Sequence, residues 1–273
     1  MLSNVLILYK LIFKAIIYSG VMLLVPYLLS WLIAKISKRN VNCINRLIEN
    51  GSRKIGFLGI IIHELSHLIA AILFHQKILD AKLFTFSKKH INENGKRVNG
   101  YVDTLSISFY QKMGNYFLGI APVIFSFLII GLSFHFMIGH PLENNLLHSS
   151  ISWSEYLDNL QSSLFNIFRL LLTNINFKTI LFILLFITIS IHGFNLSESD
   201  FKVTRKGIKN CFWFLLVIIT LGYVLGFEML LDNLILNIVL IMLSMGILII
   251  FYLIIIRLIF QLCLILKNRK VSL

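Results

Sequence analysis

IGFLGIIIHELSHLIAAILF, residues Ile55 to Phe74, is apolar except for the knot His63-Glu64-Leu65-Ser66-His67 at its middle. About 20 helical residues span a hydrocarbon core of about 30 Å, so the run is long enough for a membrane helix. A carboxylate at mid-membrane costs roughly 2.5–3.5 kcal/mol, and intramembrane ionisable groups are functional by default. The knot is an H-E-x-x-H motif. Residues four apart share a helix face, so His63 and His67 can bind one zinc ion, with Glu64 beside them as general base. The competing arrangement is an ion pair from Glu64 to a basic neighbour, with both imidazoles simply hydrogen-bonded. The cost of placing an acid there favours the metal.

Outward from this run the chain is of the same kind. Its 273 residues are 58% hydrophobic and 14% charged, with mean hydropathy +0.85. Soluble domains are about a quarter charged, so these proportions exclude a soluble enzyme, a disordered chain and a disulfide scaffold. The net charge of +13 would suggest nucleic acid in a soluble domain. Here the excess of basic residues in cytoplasmic loops accounts for it, and no nucleic-acid partner is expected. Cys43, Cys211 and Cys263 are scattered and make no ligand or redox spacing.

Five further apolar runs bring the expected number of transmembrane helices to about six: 15–36, 113–139, 179–191, 211–231 and 234–256. The first is too long for a signal peptide and lacks a cleavage site before Lys35–Arg39, so it is expected to remain as a span. Between 140 and 175 a more polar segment contains an amphipathic helical pattern at Leu157, Leu160, Leu164, Phe165 and Phe168. The fold expected is an all-α polytopic membrane protein with a small cytoplasmic β-hairpin after the H-E-x-x-H helix. One membrane-embedded domain covers residues 1–273, with a core at 55–210 and accessory helices at 1–54 and 211–273.

If every run crosses once, three basic segments share a side. These are the 77–112 loop, the Lys202, Arg205, Lys206, Lys209 segment, and the tail with Lys267, Arg269 and Lys270. That side should be cytoplasmic, with 140–175 opposite. Lys38, Arg39, Arg46, Arg53 and Lys54 then fall outside, against the rule. Gly222 and Gly226 form a G-x-x-x-G pattern expected to pack within the chain, and His135 and His140 are expected at the far interface.

A catalytic zinc needs a third protein ligand and an open position. The fourth span returns to the motif's side at His192-Gly193-Phe194-Asn195-Leu196-Ser197-Glu198-Ser199-Asp200. His192, Glu198 and Asp200 are all candidates there. Asp200 is the one expected, its alternative role being a loop acid or the cap of the next helix.

These features in order resemble the site-2 protease family of intramembrane zinc metalloproteases, of which the chain looks like a divergent, minimal member. The resemblance covers residues 55–200. It rests on His63–His67, on Lys82–Phe86 and Gly100–Ile107 flanking the hairpin signal Asn94-Gly95, on Tyr110-Gln-Lys112 leading to Gly119-Ile-Ala-Pro122, and on the distal acid. The family's third ligand sits in an Asp-Gly motif preceded by Asn and Pro. Here Asp200 is followed by Phe201, and Asn195 has no Pro after it. The resemblance implies zinc held by His63, His67 and Asp200, Glu64 as catalytic base, and hydrolysis of a membrane-anchored protein or peptide near the cytoplasmic face. The expected location is a bacterial cell membrane, with the lipid bilayer as a partner. Two other functions fit a metal or acid in a span: a non-proteolytic metal-binding scaffold or maturation partner, and a proton- or cation-coupled transporter. The paired broken helices or repeat symmetry of many transporters are not visible in the sequence.

Overall fold

The computed structural model describes residues 2–85, 99–139 and 175–271, with a few helical positions between 162 and 173. The Asn94-Gly95 turn, His140 and most of the Leu157–Phe168 pattern lie outside the described residues. Seven helices and one hairpin are described: α1 Leu2–Leu47, α2 Gly51–Ile55, α3 Phe57–Leu73, β1 Lys77–Lys82, β2 Tyr101–Leu105, α4 Phe109–Met137, α5 Phe177–His192, α6 Glu198–Val224 and α7 Glu228–Val271. This is an all-α membrane-protein fold with a small antiparallel hairpin. Helices α1, α4, α6 and α7 are each long and apolar enough to cross a membrane. Helices α3 and α5, at 17 and 16 residues, rise only about 25 Å, less than a hydrocarbon core.

Long helices α1 and α7 lie side by side and parallel. At one end Lys14 of α1 donates to Glu228 (2.9 Å) and pairs with Asp232 of α7, whose other oxygen accepts from Tyr223 (2.9 Å). At the other end Asn40 Nδ2 donates to Leu253 O (3.0 Å) and Lys267 Nζ to Leu47 O (2.7 Å). An ammonium, an amide and a backbone carbonyl cannot be left bare in apolar surroundings, so these pairs set the register of the two helices.

Along α4, from its C-terminal end downward, the partners follow a strict order. The Phe134 ring meets Phe182 edge-on at 5.3 Å, Ser126 faces Gly193, Gly119 faces Asp200 and Thr204, and Tyr116 faces Gly207. Met113 and Cys211 then share a core cluster. Helices α5 and α6 are therefore one run antiparallel to α4, interrupted between His192 and Glu198. Their order along α1 agrees: Ser37 Oγ donates to Ile191 O (3.4 Å), and Tyr27 meets Phe201 edge-on.

These directions differ from the strict alternation expected if every run crosses once. Six alternating runs would make α1 and α7 antiparallel and set the 38–54 basic stretch opposite the tail. Because α5 and α6 share a direction, 38–54 lies at the same end as Lys267. Phe134, Phe182, Ile33 and Leu253 share one cluster, so α4 ends and α5 begins at that end too, and the 140–175 segment leaves from it.

Helix α3 runs with α5–α6 and against α4, bringing Gly56 beside His192 and Phe74 beside Gly114. His75 then takes a left-handed conformation (φ 51°) that ends the helix, one of the residue types that tolerate it. Gln76 donates to Gln111 O and Asn115 Oδ1, both at 2.9 Å, fixing the start of the hairpin against α4. The first strand therefore begins at Lys77, ahead of the expected Lys82. Lys77 pairs with Leu105 and Lys82 with Tyr101, with an irregularity between Ile78 and Asp80. Thr85 N–H donates to Asn99 O (2.7 Å), while the Arg53 guanidinium donates to Thr85 O. The hairpin thus folds back along α3 toward its N-terminal end. Gly222 of the G-x-x-x-G pattern backs onto Leu231 within the α6–α7 turn.

Candidate metal centre

Helix α3 buries one face that includes His63, Ser66, His67 and Ala70. That spacing follows from the helical repeat, and it directs both imidazoles toward α4 and the first turn of α6. His67 Nδ1 lies 2.8 Å from the carbonyl of Leu118. A carbonyl only accepts, so Nδ1 carries the proton, and in the neutral ring Nε2 presents its lone pair on the other side. That nitrogen lies 3.2 Å from His63 Nε2 and 3.4 Å from Asp200 Oδ1, and His63 Nε2 lies 3.6 Å from Asp200 Oδ2.

These separations are compatible with ligation of one metal ion. Ligand bonds of about 2.0–2.2 Å around a tetrahedral ion put neighbouring ligand atoms about 3.4 Å apart. Among the described residues, His63, His67 and Asp200 form a cluster of this kind, their ligand atoms all within 4.8 Å of one another. Lone pairs and a carboxylate directed at one point repel unless a cation occupies it. The carbonyl that fixes the His67 tautomer is the outer-shell contact such sites require. The residues present fit zinc, two nitrogens and one oxygen leaving a fourth position open.

Asp200 is held by its own helix start. Ser197 caps α6: its Oγ accepts from Asp200 N–H at 3.2 Å, and its own N–H donates to Asp200 Oδ2 at 2.6 Å. Such a capping box satisfies donors left free in the first helical turn. Of the two roles weighed for Asp200, the cap is therefore formed, and the same carboxylate also faces both imidazoles. His192 sits nearby without joining the cluster, and its buried Nε2 has no hydrogen-bond partner among the described residues. Glu198 is exposed and does not join it either.

Glu64 lies on the adjoining face of α3, against the hairpin. A Cβ at Gly100 would fall 2.6 Å from Glu64 Cγ and 2.9 and 2.8 Å from the carbonyls of Lys82 and Leu83. Only glycine lets the strand approach the acid this closely. Gly119 serves α4 and α6 in the same way, since a Cβ there would collide with Thr204 and the Asp200 carbonyl. The sequence motif identifies neither Gly100 nor Ser197. Ser197 had a legible signal, a serine three residues before an acid at a helix start; Gly100 had none.

The chain matches no protein-family model, no curated protein and no solved structure.

Proposed function

We propose that this protein is a multi-pass intramembrane zinc endopeptidase that hydrolyses a peptide bond of a membrane-anchored protein or peptide near the cytoplasmic face. The observation that carries this reading is the convergence of His63, His67 and Asp200 on one point beside Glu64. The resemblance to site-2 proteases in motif and order supports it from the sequence side. Zinc held there would act as a Lewis acid on the scissile carbonyl and acidify an attacking water. Glu64 would take the proton from that water and return it to the leaving amine. The histidines and Asp200 would hold the ion, with the Leu118 carbonyl and Ser197 orienting His67 and Asp200.

A helical substrate hides its carbonyls in backbone hydrogen bonds, so an extended segment must be presented. The β1–β2 sheet has only two strands, and its strand edges could take up an extended segment by strand addition. Gly100 puts this sheet against Glu64. The cytoplasmic assignment rests on the resemblance in motif and order, because the basic residues divide between the ends, 38–54 with Lys267 at one and Lys112 and Lys209 toward the other.

Purified protein and its Glu64→Gln variant, assayed for zinc content and for cleavage of single-span substrates, test the proposal. The expected outcome is about one zinc per chain in both, with cleavage reduced at least about a hundredfold in the variant. Absence of zinc from both proteins sinks the centre. Zinc in both with cleavage by neither favours the scaffold.

A further inference from the structure

We propose that the groove between α1 and α7 binds the phosphate of an anionic phospholipid headgroup. Arg39, Asn42, Cys43 and Arg46 line one wall of this groove and Arg257 and Gln261 the other, around a cavity of about 570 Å³. On α1 the spacing is i, i+3, i+4, i+7, so one stripe of the helix faces it. Among the described residues no carboxylate lines the cavity. Among the described residues none of the three guanidinium groups has a hydrogen bond or ion pair. The chain has acids to spend and places two of them on Lys14 at the opposite end.

Three like charges around one cavity repel, and an anion at its centre relieves that repulsion. Guanidinium forks match phosphate oxygens two at a time, and the two amides add donors. The depth of the groove points to a lipid. Beyond the Asn40–Leu253 contact, α7 stays apolar from Ile254 to Leu266 except at Arg257 and Gln261, so the arginines face one another along an otherwise apolar wall. Just beyond, Leu258, Leu262 and Leu266 of α7 are each more than half exposed. A free phosphate would leave them bare, whereas a phospholipid brings acyl chains alongside. Lys35 over the exposed Trp31 ring, 4.9 Å to its centre, has the character of a membrane-interface pair. Basic pockets between membrane helices on the cytoplasmic side take such headgroups. The site does not depend on the zinc centre, and it gives the 38–54 basic stretch a role.

Native mass spectrometry of the full-length protein in a neutral detergent, titrated with phosphatidylglycerol and phosphatidylcholine, tests this. Phosphatidylglycerol is expected to bind about tenfold more tightly, and the combined Arg39→Gln, Arg46→Gln, Arg257→Gln variant should bind the two lipids alike. Arg257→Gln alone, with zinc content unchanged as the check on folding, should lower the preference severalfold. Lys202→Gln with Lys206→Gln, on exposed positions of α6, should leave it intact. Equal binding of the two lipids by the unaltered protein, or an undiminished preference in the triple variant, overturns the proposal. Displacement of phosphatidylglycerol by an equal concentration of inorganic phosphate would assign the groove to a soluble anion and overturn the lipid assignment.

Discussion

At Asp200 a single carboxylate accepts the Ser197 N–H through Oδ2 and directs both oxygens at the imidazoles of α3. Asparagine there keeps the size but loses the charge and one acceptor. Asp200→Asn is expected to weaken zinc retention at least about tenfold in competition with a chelator. If His192→Ala has that effect and Asp200→Asn does not, the third ligand is His192. Ser197→Ala keeps the backbone N–H on Oδ2 but removes the hydroxyl, which donates to the same oxygen (2.8 Å) and accepts the Asp200 N–H. It should cost about 1 kcal/mol in helix capping and lower zinc affinity about tenfold, as loss of an outer-shell partner does. Unchanged zinc affinity would show that the acid finds its place without the cap. The pair His63 and His67 was legible in the sequence because a single helix fixes their relation. Asp200 was only one of three candidates, since the turn that aims it depends on how α5 hands over to α6.

Among the elements, the hairpin and α3 meet where Gly100 lies against Glu64. A methyl group at position 100 must lift the strand or displace the acid, while His63 and His67 lie on another face of α3. Gly100→Ala should therefore retain zinc and lose turnover, by about tenfold if Glu64 shifts by a fraction of an ångström. Loss of zinc with turnover would mean instead that the hairpin supports the metal site. The existence of the hairpin was readable from its strand-like runs, and its second strand falls as expected. The start of the first was not, because the left-handed turn at His75 and the anchoring of Gln76 on α4 are tertiary events.

For the whole molecule, the parallel packing of α1 and α7 puts the chain after α1 and the C-terminal end on one side. In a cysteine-free background, Glu49→Cys and Asn268→Cys should react with an impermeant thiol reagent from the same membrane face, and Met229→Cys from the opposite one. Reaction of positions 49 and 268 from opposite faces would restore six simple crossings. The expected apolar runs lie in helices, except that the run 211–231 is broken by a turn at Leu225–Phe227, and the run count did not reveal that α5 and α6 point the same way. An apolar run carries no mark of its direction, and a break of a few polar residues reads equally well as a loop outside the membrane.

What the sequence determined by itself is whatever a short stretch of chain can enforce. The 58% of hydrophobic residues requires apolar surroundings, the apolar runs become helices, and four-residue spacing puts His63 and His67 on one face. Tertiary structure alone decided which way each helix runs, which acid completes the cluster, and that Arg39 and Arg46 face Arg257 across a groove. Those relations join residues far apart in the chain. They depend on where close approach is allowed, at Gly100 and Gly119, and on which buried polar groups must find partners, as Lys14 and Asn40 do.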